Sequence, residues 1–72
     1  MRVDELGKIL AAKLEAAKPT YRATTIHLFG IEYADQIGSA ATQVAISAGI
    51  GEPYGTEIRK GMKLAEFVTL KR

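Results

Sequence analysis

Residues 43–61, QVAISAGIGEPYGTEIRKG, decide how this chain is read. Within them ends a helix over Ala40 to Ala48, whose small and apolar residues suit close burial, and Gly49 stops it, because glycine takes the left-handed conformation that ends helices without a Cβ penalty. Ile50 follows as an apolar anchor. Pro53 suits the first turn of a second helix, where its missing N–H costs nothing. That second helix is expected to run over residues 53–60, with Gly61 as its stop.

Outward from this unit, the first helix begins at Val3 or Asp4, with Asp4 placed to accept from the free amides of the first turn. Leu6, Ile9, Leu10, Leu14 and Ala17 form its apolar stripe, and Lys13 interrupts the stripe as a snorkelling side chain can. Pro19 ends it. Residues 24–29, TTIHLF, are β-branched and aromatic, with Ile26 and Leu28 on one side and Thr25, His27 and Phe29 on the other. They read as a short strand followed by a short helix over 31–37. One continuous helix over 24–37, absorbing Gly30, is the alternative. Ser39 is the expected N-cap of the helix over 40–48. Residues 65–70, AEFVTL, read as a second strand, pairing with the first so that neither leaves its backbone groups unbonded.

Length allows one domain. Chains near 72 residues bury only about 60% of their unfolded surface, which leaves no room for a second core. The 47% hydrophobic content with mixed charge argues for a folded globule, and the net charge of +2 permits a polyanionic partner without requiring one. The absence of cysteine excludes disulfides and thiolate metal sites, and no apolar run reaches membrane-spanning length. The opening residues do not fit a signal peptide, so a cytoplasmic location with no membrane partner is expected.

Ala45, Gly49, Ile50, Tyr54, Ile58 and Gly61 together resemble the helix-turn-helix of lambda-repressor-like and Cro-like regulators. The physical reasons are a small residue where the second helix crosses, a glycine at the turn, and two isoleucines sealing the helix pair. Gly55 departs from that pattern, which has an apolar side chain there, and implies a rotated or shortened second helix. The flanking strands depart too, so a winged or wing-like variant fits better. The whole chain resembles small, uncharacterised HTH-like proteins of bacteria. The expected fold is therefore mainly α with a small β ribbon: about four helices and two short strands in a single domain over 1–72, with the helix-turn-helix core at 40–61.

The resemblance implies that bases and phosphates are approached from the start and outer side of the second helix, where Gly51, Glu52, Pro53, Thr56, Glu57 and Lys60 lie. Threonine and glutamate can read base edges, while Arg59, Lys60 and Lys63 supply the cations that phosphates need. The nucleic-acid-binding set is accordingly Thr56, Glu57, Arg59, Lys60 and Lys63, with Lys8, Arg22 and Lys71 as further cations if folding gathers them. A solvated helix end, where cations suit the dipole, accounts for the same lysines. Glu52 and Glu57 oppose phosphate, and three or four cationic contacts bind weakly unless a homodimer doubles them.

Catalysis, a metal and a cofactor are not expected. His27 is the single histidine and has no cysteine or carboxylate cluster beside it in sequence. The glycines at 49, 51 and 55 lack the preceding strand and following Gly-Lys-Ser/Thr of a phosphate loop. Glu32 and Asp35 read as a solvated face, and Tyr21, Phe29 and Tyr33 as core rather than a stacking platform. Two functions remain: a transcriptional regulator that places the second helix in the major groove of duplex DNA, or a degenerate module that engages a protein partner through its acidic, glycine-bearing face or an edge strand, and modulates it.

Overall fold

The computed structural model describes residues 1–71, and among them are five α-helices and no strand. They are α1 (Val3–Ala16), α2 (Arg22–Glu32), α3 (Ala34–Ile37), α4 (Ala41–Ser47) and α5 (Gly55–Leu64). Single 3₁₀ turns, Pro19–Tyr21 and Glu52–Tyr54, lead into α2 and α5. The β ribbon and the wing are therefore corrected: residues 24–29 lie inside α2, and 65–67 continue α5 as turns before an irregular end.

Burial explains α2. Ile26, Phe29 and Gly30 are buried, Tyr33 packs against the core and Ile37 is buried in α3, a helical spacing that period-two alternation cannot produce. Leu28, which the strand reading paired with Ile26, stays 46% exposed. Tertiary burial overrides the β preference of the Thr-Thr-Ile run. Thr25 is accommodated because its hydroxyl donates to the Tyr21 carbonyl at 2.7 Å. The continuous-helix alternative comes closer, although the chain breaks at Tyr33 between α2 and α3. With α2 helical, residues 65–70 have no strand to pair with.

Other boundaries shift for local reasons. Asp4 pairs with Arg2 at 3.1 Å instead of capping, and the Arg2 amide donates to Glu5 at 3.0 Å. Ser39 is exposed and does not cap α4, whose N-cap is Ala40. At the other end of α4 the glycine stop is found. Gly49 has φ +80°, its N–H bonds the Ile46 carbonyl at 3.0 Å, and the Ile50 N–H bonds the Ala45 carbonyl at 3.2 Å. This is a Schellman closure, with Ile50 folded back on the core.

The second helix of the pair starts later and ends later than expected. Pro53 belongs to the 3₁₀ turn, and α5 passes through Gly61 to Leu64. Gly61 does not stop α5 because its work is tertiary: a Cβ there would overlap the His27 carbonyl and lie 3.0 Å from Gly30 Cα. Gly55 has the same kind of reason, since a Cβ would come 2.8 Å from Thr42 Oγ1 and 3.0 Å from Thr42 Cα. The apolar side chain missing at Gly55 is replaced by backbone approach of α5 to α4. Around these crossings sits one core of Leu6, Leu10, Ile26, Phe29, Ile37, Ala41, Val44, Ala45 and Ile58, with the Phe29 and Tyr33 rings 5.1 Å apart. Lys13, the break in the α1 stripe, reaches Glu32 of α2 at 3.4 Å.

Gly61→Ala tests the crossing. Alanine improves helix propensity by about 1 kcal/mol, but overpacking of backbone against backbone costs about 1–3 kcal/mol. The urea midpoint is expected to fall, and an unchanged or higher midpoint would show that α2 and α5 do not need the glycine.

Candidate nucleic-acid interface

The α5 face opposite the core is fixed by its inward residues. Gly55, Ile58 and Gly61 are buried, which turns Thr56, Arg59, Lys60 and Lys63 outward at positions i, i+3, i+4 and i+7. These four side chains line one shallow depression. Four of the five residues singled out from sequence therefore share a surface.

The fifth, Glu57, is turned toward α2. His27 Nε2 lies 2.8 Å from its Oε1, where an Nε2–H donates to the carboxylate, and Lys60 Nζ donates to Oε2 at 3.1 Å. The His27 hydrogen bond first, and the Lys60 hydrogen bond next, hold the Glu57 carboxyl below its ordinary carboxylate range. Glu52 lies off the helix, exposed in the 3₁₀ turn. The two carboxylates that the sequence placed on one helix face are thus separated, one outside α5 and the other hydrogen-bonded to His27 and Lys60.

Arg59 is held by hydroxyls. Its guanidinium donates to Thr42 Oγ1 at 3.1 Å and to Thr56 Oγ1 at 3.3 Å, bridging α4 and α5. Lys60 is exposed, and its ion pair with Glu57 is screened by solvent, so a phosphate can compete for the ammonium. Lys63 is exposed one turn further on.

Of the more distant cations, Arg22 is placed 5.4 Å over the Tyr54 ring, beside the turn that leads into α5. Lys8 is exposed on α1 and Lys71 near the chain end; neither lines the α5 depression.

A family model described as "HTH-like domain" matches residues 2–71. The chain belongs to the HTH-like domain family. No curated protein and no solved structure matches it. In this HTH-like chain α4 and α5 are joined by residues 48–54, and Thr56, Arg59, Lys60 and Lys63 lie on the outward side of α5. The edge strand that a partner-binding module would use does not exist among the described residues. No helix among them is long and apolar enough to cross a membrane.

Sequence reasoning missed two residues that shape this face. His27 carried no local signal, since it meets Glu57 across 30 positions, and Thr42 meets Arg59 across 17. Only the α2–α5 and α4–α5 packing brings them in.

Because the Glu57 value is lowered in the folded state, its contribution to stability is complete above the ordinary carboxylate range and is lost as pH falls through the lowered value. A carboxyl-carbon NMR titration is expected to give a midpoint below that of a free glutamate, moving upward in His27→Ala. An unmoved midpoint in that variant would show that His27 is not the partner that lowers it.

Proposed function

We propose that this protein is a small DNA-binding transcriptional regulator that lays the outward face of α5 in the major groove, in the manner of lambda-repressor-like and Cro-like proteins. The observation that supports this reading is the clustering of Thr56, Arg59, Lys60 and Lys63 around one depression, with the Glu57 carboxylate held between His27 and Lys60. Arg59, Lys60 and Lys63 contact phosphates. Thr56, at the start of the helix, is positioned for a base edge or a thymine methyl, and Glu57 is left as a secondary acceptor for a cytosine amine once Lys60 turns to phosphate. Arg59 is partly pre-organised by Thr42, which lowers the entropy lost on contact.

Size argues for a dimer. The molecule measures 28 × 27 × 21 Å, less than the roughly 34 Å between half-sites one helical turn apart, so one copy covers one half-site. Three phosphate contacts give weak affinity alone, and a second copy doubles them.

The test is fluorescence anisotropy with a labelled duplex over a salt series. Three neutralised phosphates per chain correspond to a log–log slope of about −2.7, or roughly a 40-fold loss of affinity between 50 and 200 mM salt for the monomer. Lys63→Ala is expected to reduce the slope by about 0.9, and Lys63→Glu to weaken binding further. Absent binding at low salt, or binding indifferent to Lys63→Glu, would remove this function.

A further inference from the structure

At the C-terminal end of α5 the cationic face borders an apolar depression lined by His27, Lys60, Lys63, Leu64 and Phe67. Leu64 is 43% and Phe67 80% exposed, three positions apart and therefore on one side of the chain. The Phe67 N–H bonds the Leu64 carbonyl at 2.9 Å and the Val68 N–H bonds it at 3.1 Å, so the turn that carries the ring is hydrogen-bonded into the end of the helix. A phenyl ring held in water forgoes the stabilisation of burial that the core residues obtain, and Lys63 and the Glu57-paired Lys60 line the same depression.

We propose that this depression docks an amphipathic helix of a partner protein, whose apolar ridge covers Leu64 and Phe67 and whose acidic residues meet Lys60 and Lys63. Charge selects this occupant. A second copy of the same surface would set Lys60 and Lys63 against themselves, and an open depression leaves a small ligand largely in solvent, whereas ligand sites enclose most of theirs. A helix with apolar residues at i, i+3, i+4 and i+7 matches the one-turn spacing of Leu64 and Phe67, and flanking glutamates match the lysines. Where the DNA reading holds, on which this part rests, the acidic helix and the duplex use the same two lysines and exclude one another.

The probe is a fluorescein-labelled synthetic helix with leucines at i, i+3, i+4 and i+7 flanked by glutamates, with a twin in which lysines replace the glutamates. Both are titrated with the full chain at low salt. The acidic peptide is expected to bind at least tenfold more tightly than its twin and to displace a bound duplex. Phe67→Ser, at an exposed position, is expected to weaken the acidic peptide at least tenfold while the helical circular dichroism and duplex affinity stay within twofold. Lys63→Glu is expected to reverse the preference between the two peptides. Equal binding of the twins, or indifference to Phe67→Ser, would overturn the docking site, as would a concentration-dependent dimer in sedimentation that Phe67→Ser abolishes. Acidic-peptide binding without duplex binding would support the site and remove the DNA reading alone.

Discussion

The crossing of α2 and α5 at Gly30 and Gly61 is the constraint on which the rest of the molecule depends. With no side chain on either residue the two backbones meet directly, and the Gly61 methylene rests on the His27 carbonyl. That contact fixes the rotation of α5 about its own axis. Once Gly61 and Ile58 point inward, Thr56, Arg59, Lys60 and Lys63 have only the outward side left to them. The same contact brings His27 alongside α5, where its ring meets Glu57. A close approach made for packing thus also gives the Glu57 carboxylate a second partner besides Lys60.

A third glycine works with these two. Gly55 lets α5 come down on Thr42 of α4, and Thr42 in turn receives the Arg59 guanidinium. The inward stripe of α5 therefore reads Gly55, Ile58, Gly61, with Met62 beside it, and much of its contact is made by backbone rather than by large side chains. Among the described residues of α5, Ile58 is the one fully buried large side chain. The helix is held because two neighbouring helices fit it closely, and dispersion at short range replaces bulk. Gly7 of α1 meets Ser47 of α4 in the same fashion, so α4 is gripped on both sides.

What the sequence made legible was the local grammar. The α1 stripe, the small residues of α4 and the Gly49 stop are each specified within a few positions, and they are found with shifts of a residue or two. The misreadings share one cause, which is that the deciding contact lies far along the chain. Residues 24–29 carry β-branched side chains whose strand preference is overruled only by the core that Phe29 and Ile26 enter. Gly61 resembles a helix stop until Gly30 is known to lie against it. Residues 65–70 read as a strand by their own residues, and with 24–29 helical there is no strand for them to pair with among the described residues. In the candidate interface, the cations were visible as a run at helical spacing. Their relation to Glu57 was not, because His27 and Glu57 meet by folding alone.

The geometry leaves Lys60 and Lys63 common to two surfaces of different physical character, and magnitudes decide how these rank. Toward phosphate, each lysine is an exposed charge whose contribution is screened by salt within a Debye length of about 10 Å at 0.1 M. Toward the apolar depression, burial of one large side chain such as Phe67 is worth about 1.5–3 kcal/mol and is not screened. A single domain would therefore lose its hold on a duplex with rising salt sooner than on an acidic, apolar helix. Two domains acting on one duplex double the phosphate contacts and multiply their affinities through high effective concentration, which strengthens the duplex side. Under this reading, the oligomeric state of the protein biases which of the two partners holds the lysines.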